Sequence, residues 1–269
     1  MLDLLREDYR AAFACPECRE PLANCGDRVS CGGCGRIYRA CGGYLDFAPS
    51  IQVKPGLGAF YLEDPLHVTR YERHTREAFL NVMGQNWDTV LTDLDEDEYL
   101  RAHLEPAEGP VLDLGCGAGR WTRTVTEQVG SGRVVGLDLS TAMLDLIRKA
   151  LPDVCAVRGT ALRLPFGDAA LGAVNCSNAL QLLPEPRAVV REVSRCLRPG
   201  GVFTGFTFRQ AERPASRYFQ QQHEAAFNVR AFSTSEIVTW LSDCGMELAD
   251  LQEPAGMLLF TARRNPLLT

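Results

Sequence analysis

Lysine is nearly absent from this 269-residue chain: among 28 basic residues only Lys54 and Lys149 are lysine. That bias follows GC-rich codon usage and is not read as a phosphate-binding surface. Basic charge is also short overall, since 34 acidic residues leave a net charge of −6. The broad positive face that non-specific nucleic-acid binding needs is therefore not expected. No apolar run reaches the ~18 residues needed to cross a bilayer, so no membrane span is expected. The opening residues, Met1 to Asp8, lack the basic start and apolar centre of a secretory leader, and a cytoplasmic or otherwise reducing location is the expectation. The chain has no Ser-His-Asp order, no Walker loop, no internal repeat and no low-complexity tract.

Cysteine, by contrast, is abundant at eleven residues, and its placement is uneven. Cys15-Pro-Glu-Cys18 and Cys31-Gly-Gly-Cys34 are two CxxC pairs about a dozen residues apart, a spacing that closes a tetrahedral zinc site of ribbon type. A disulfide pair or a redox CxxC is the alternative. Four thiolates would fill the shell, so the Zn2+ would be structural. A domain below ~40 residues needs such a metal to fold, with Tyr38 and residues 42–47 completing a small core. Cys25 and Cys41 fit the spacing less well and read as spare thiols, and the later cysteines read as small buried residues.

Residues 111–121, Val-Leu-Asp-Leu-Gly-Cys-Gly-Ala-Gly-Arg-Trp, describe a buried strand that stops at Gly115, Gly117 and Gly119 before a helix. A second apolar run ends at Asp138, about 20 residues on, where a carboxylate can accept from two ribose hydroxyls. Asp113, two residues before the first glycine, would repel a pyrophosphate but suits an ammonium. S-adenosyl-L-methionine (SAM), with an ammonium and no phosphate, fits better than a dinucleotide. Here the chain resembles the class I SAM-dependent methyltransferases. The match continues through Gly136-Leu-Asp138-Leu-Ser-Thr-Ala-Met143, Leu162-Arg-Leu-Pro165-Phe166 and Leu197-Arg-Pro-Gly-Gly201, and it covers roughly residues 108–264.

The alternation of periods predicts strands over 111–114, 133–138, 153–158, 171–177, 201–208, 246–251 and 257–263, with helices over ~119–130, ~140–150, ~184–197 and ~233–244. This is an α/β, Rossmann-like, doubly wound and mostly parallel seven-stranded sheet, with its ligand at the carboxyl ends of the strands. The resemblance adds an antiparallel last strand. Three domains are expected: a zinc ribbon over 1–49, a linker and helical lid over 50–106, and a SAM-binding core over 107–269 with a flap at about 209–232. The acidic cluster at 93–98 reads as a solvated helix start. A linker at 49–58 implies that the ribbon is separable from the core.

With the ribbon included, the whole chain is similar to uncharacterised plastid methyltransferases of plants. The similarity rests on Asp64-Pro65, Tyr71-Glu72-Arg73, residues 200–207, Phe232-Ser-Thr-Ser-Glu236-Ile and Leu259-Phe-Thr-Ala-Arg263. The cores of those proteins are similar to quinone-biosynthesis C-methyltransferases. Thr160 stands where relatives commonly carry Asp, and Gln181 where many carry His. The resemblance implies cofactor contacts from Asp113, Gly115, Cys116, Gly117, Asp138, Leu139, Met143, Thr160, Ala161 and Asn178. Gln181 and Tyr218 are the candidate substrate contacts, and His223, His74 and Tyr71 the candidate bases. The expected activity is methyl transfer to carbon or oxygen of a small hydrophobic or aromatic acceptor. The alternatives are a ribosomal or transfer RNA methyltransferase and a non-catalytic SAM-binding scaffold. The oligomeric state is not legible.

Overall fold

The computed structural model describes residues 2–24, 28–48 and 92–266. The first 48 residues carry the short helix α1 (Glu7–Arg10) and four short strands, β1 (Leu22–Asn24), β2 (Arg28–Cys31), β3 (Ile37–Cys41) and β4 (Tyr44–Asp46). Next come helix α2 (Asp93–His103), β5 (Val111–Leu114), α3 (Arg120–Val129), β6 (Val134–Asp138), α4 (Thr141–Ala150) and β7 (Cys155–Arg158). The chain continues with β8 (Leu171–Ser177), α5 (Pro186–Cys196), β9 (Leu197–Phe208), α6 (Pro214–Phe227), α7 (Thr234–Asp243), β10 (Met246–Gln252) and β11 (Met257–Arg264).

Strands β5 and β8 are buried along their whole length, which is why they read as continuous runs and not as alternating ones. Helix starts follow local chemistry. Ser140 accepts from the Met143 amide, Ser233 and Glu236 form a reciprocal cap on α7, and Pro186 opens α5. In the core sheet the order is β7-β6-β5-β8-β9-β11-β10. β5 to β9 pair in parallel, and β11 runs antiparallel to both β9 and β10, as expected. The carboxyl ends of β5, β6 and β8 therefore meet at one rim.

Two expectations need correction. The ribbon does not stand apart, because β4 pairs in parallel with β7 through Leu45↔Val157 and Asp46↔Arg158, making one eleven-stranded sheet. Apolar packing follows the same path. Phe13 lies 4.8 Å from the Phe166 ring and 6.0 Å from Phe47, and Phe13, Tyr38, Leu45 and Phe47 share a cluster with core residues Val157 and Phe166. The Ala14 amide donates to Pro165 and the Gly167 amide to Ala12. A metal-sized domain has too little surface of its own to bury, and it borrows the core's. Second, α2 belongs to the core and not to a lid. Tyr99 and Leu100 pack with Val125 of α3, and Gln128 donates to the carbonyls of Arg101 in α2 and of Leu104 just past its end. The rest of the expected lid and linker, with Tyr71 and His74, lies outside the described residues.

Phe13→Ala should cost about 3–5 kcal/mol and lower the main thermal transition by roughly 10 °C. A calorimetric scan in which the main transition stays put would mean the ribbon melts as a separate unit.

Candidate active site and metal centre

The glycine turn between β5 and α3 is built by two different constraints. Gly115 has φ +72°, and a Cβ there would sit 2.5 Å from that of Ala179. This glycine lets the loop after β8 close against the turn. Gly117, at φ +52°, has only Met143 Sδ at 3.9 Å near its Cβ position. It leaves the open cradle where a ligand can approach backbone. The Gly117 amide donates to Asp138 Oδ2 at 2.9 Å, and the Ser140 amide donates to Oδ1 at 2.9 Å. Each oxygen of Asp138 keeps lone pairs for a hydroxyl. Burial raises this carboxyl above its ordinary range despite those amide donors.

Asp113 lies below the turn, 2% exposed. Asn175 Nδ2 donates to its Oδ1 at 2.7 Å, and the Thr122 hydroxyl donates to Oδ2. Asn175 Oδ1 in turn accepts from Ser177 at 2.8 Å and Thr204 at 3.1 Å. Any ammonium contact would use the remaining lone pairs of Asp113, directly or through water. Burial, opposed by Thr122 and Asn175 and reinforced by Asp138, pushes the Asp113 carboxyl up to about 6. Cys116 is buried, and burial holds its thiol well above the usual range, which suits packing and not nucleophilic chemistry.

Leu139 and the buried Met143 follow Asp138 at the rim. Thr160 and Ala161 stand beside them, because the Gly159 amide donates to the Asp138 carbonyl, and the Thr160 hydroxyl accepts from the Leu162 amide. Asn178 takes a left-handed backbone, φ +54°, and its side-chain oxygen accepts from Gln181 Nε2 at 2.5 Å. Gln181 Oε1 accepts from Thr207 at 3.0 Å, and the residue is 2% exposed. Both ends of its amide are thus committed inside the protein, which corrects its placement against substrate. Tyr218 is 58% exposed on α6 and packs edge-on with Phe219. His223 is half-buried and stacks on Phe227, with its pKa lowered by burial. The flap thus contains a helix on which Tyr218 and Phe219 are exposed, while Phe227 packs against the cluster that holds Trp121 and Phe206.

Sequence reasoning missed what lies beside Asn175. A cavity between the sheet and α2 is lined by Glu96, Tyr99, Trp121, Asn175, Ser177, Thr204 and Phe206. Glu96 is 4% exposed and pairs with Arg120 at 3.4 Å, while Asp97 holds the other arm of that guanidinium at 2.8 Å. The 93–98 cluster is thus not simply solvated. Helical spacing puts Glu96, Tyr99 and Leu100 on one face, a signal the local run of acids obscured.

In the ribbon, the sulfurs of Cys15, Cys18, Cys31 and Cys34 all lie within 4.8 Å of one another. Cys15 is 3.6 Å from Cys34 and Cys18 is 3.3 Å from Cys31. Burial disfavours the Cys15 thiolate, but the Tyr38 hydroxyl at 3.1 Å and nearby amides prevail and bring the thiol down to about 7. Four convergent sulfurs are a donor set suited to a tetrahedral ion.

A model described as a methyltransferase domain matches residues 111–201. Two uncharacterized chloroplastic methyltransferases of Arabidopsis thaliana are 28% and 30% identical, covering 94% of this chain and 78% and 76% of their own lengths. This chain belongs to the class I SAM-dependent methyltransferases. The demethylmenaquinone methyltransferase of Lysinibacillus sphaericus is 34% identical over 54% of this chain and 68% of its own. The geranyl diphosphate C-methyltransferase of Streptomyces coelicolor, solved with S-adenosyl-L-homocysteine, shares the fold at a TM-score of 0.56 and 20% identity, covering 63% of this chain and 75% of its own. The cradle at Gly117 and the two-oxygen carboxylate of Asp138 fit the family's cofactor.

The Asp113 carboxyl ordinarily titrates near 3.8 but holds its proton to about 6 in the folded protein. The native state binds that proton more tightly than the unfolded chain, so this group favours folding below about pH 4, and the advantage is lost as pH rises through about 6. Asp113→Asn should therefore gain about 3 kcal/mol relative to the parent between pH 4 and pH 7. Urea denaturation at stepped pH measures the difference; a flat difference would mean an unperturbed carboxyl.

Proposed function

We propose that this methyltransferase acts on carbon or oxygen of a small hydrophobic or aromatic acceptor, quinone-like in shape. The observation that carries this reading is the likeness to the relative named for demethylmenaquinone. The space beneath α2, lined by Glu96, Trp121, Asn175, Ser177, Thr204 and Phe206, is no larger than a water and is not assigned to the acceptor. The net charge of −6 weighs against RNA.

SAM, when bound, supplies an electrophilic methyl group. The chain's own residues do the rest. Asp138 would hold the ribose hydroxyls, Gly117 would admit the ligand to the backbone, and Leu139 and Met143 would stand beside the adenine. Glu96 is buried in an ion pair with Arg120, a contact that ties α2 to the helix after the glycine turn. Positioning of the acceptor against the methyl group carries much of the acceleration. The four ribbon cysteines would hold a structural Zn2+, contributing folding energy and no chemistry.

The parent should methylate hydroxylated naphthalene acceptors, and Asp138→Ala should weaken S-adenosyl-L-homocysteine binding by at least about tenfold in calorimetry. Methylation of an rRNA fragment, but of no aromatic acceptor, would instead support an RNA enzyme. Elemental analysis should find one zinc per chain, lost on Cys31→Ser; a metal-free, folded protein would leave the cysteines without that role.

A further inference from the structure

The strand that joins the ribbon to the core ends in a side chain that reaches the cofactor rim. Arg158, last residue of β7, is largely buried, at 11% side-chain exposure. Its Nη1 donates to both carboxylate oxygens of Asp46, at 3.3 and 3.2 Å, and to the Ala48 carbonyl at 2.7 Å. All three acceptors belong to the ribbon's exit from β4. The same guanidinium donates from Nε to the Leu139 carbonyl at 3.0 Å.

That carbonyl is one end of a rigid unit. The peptide linking Leu139 to Ser140 is planar, so fixing its oxygen also fixes the direction of its N–H. The N–H in question is the Ser140 amide, which donates to Asp138 Oδ1 at 2.9 Å. One guanidinium thus sets, through one peptide plane, the orientation of the carboxylate that receives the ribose. A lysine could not span these acceptors, because its ammonium lacks the guanidinium's fixed fork of donors.

We propose that Arg158 is a positioning residue that couples the ribbon to the nucleoside half of the cofactor site, so that the integrity of the Asp46–Arg158 junction sets affinity for the cofactor. The inference rests on the family's cofactor and not on the acceptor or the metal. It gives the β4–β7 pairing a role beyond stability: the ribbon is an intramolecular brace for ribose recognition.

The test is calorimetry on the full chain with two probes, S-adenosyl-L-homocysteine and 5′-methylthioadenosine, which keeps the nucleoside but lacks the amino-acid end. Arg158→Met should weaken both by about tenfold and by the same factor. Asp46→Asn should weaken both by about threefold, and the double variant should be no worse than Arg158→Met, the non-additivity expected of a shared path. Arg158→Lys, which keeps a cation at the junction, should fall between the parent and Arg158→Met and serves if the methionine variant does not fold. The proposal is overturned if Asp46→Asn leaves both affinities unchanged, if the two substitutions add, or if S-adenosyl-L-homocysteine weakens while 5′-methylthioadenosine does not. The acceptor assignment is untouched by any of these outcomes, since no acceptor is present.

Discussion

The whole site hangs on one buried carboxylate. Asp113 ties three elements together through side chains: β5, which carries it; α3, through Thr122; and β8, the paired neighbour of β5, through Asn175. The glycine turn is the short span between the first two, so its shape is fixed at both feet. Asn175 extends the hold to β9 through Thr204. In so dry a setting an unpartnered donor is costly, so the four side chains are satisfied together or not at all. The turn above is then free to carry residues chosen for the ligand.

That division explains which parts of the site were legible from sequence. Gly117 and Asp138 announce themselves because their chemistry is local: a bare backbone and an acid at the end of an apolar run. The two CxxC pairs are legible for the same reason. Elements 111–114, 171–177 and 246–251 reappear nearly unchanged in the structure because fully buried or alternating strands write their period into composition. Gly115 was legible as a glycine but not in its reason, since Ala179, the neighbour that demands it, comes from another strand's loop.

Long-range packing was not legible. Nothing near Phe13 names Phe166, and nothing near Leu45 names Val157, so the ribbon looked autonomous although its strand completes the sheet. Glu96 was hidden by its company: four acidic neighbours, Asp93, Asp95, Asp97 and Glu98, suggest solvent, and only the third dimension separates the inward one from the rest. Gln181 was misread in the opposite sense. A polar residue after a strand's carboxyl end looks poised for a ligand, yet both ends of this amide are engaged by Asn178 and Thr207.

The pairing of β4 with β7 also bears on how the chain is made. The ribbon leaves the ribosome first, yet the strand its last edge needs is synthesised more than a hundred residues later. Until then β4 presents an unsatisfied backbone edge, the kind of surface that invites pairing with the wrong chain. Closing so distant a contact is slow, because loop entropy must be spent before the contact forms. A nascent ribbon held in shape by its four sulfurs would keep that edge short and pre-aligned, turning a late and error-prone pairing into the docking of one formed surface on another. The cysteines would then serve the order of assembly as much as the finished molecule.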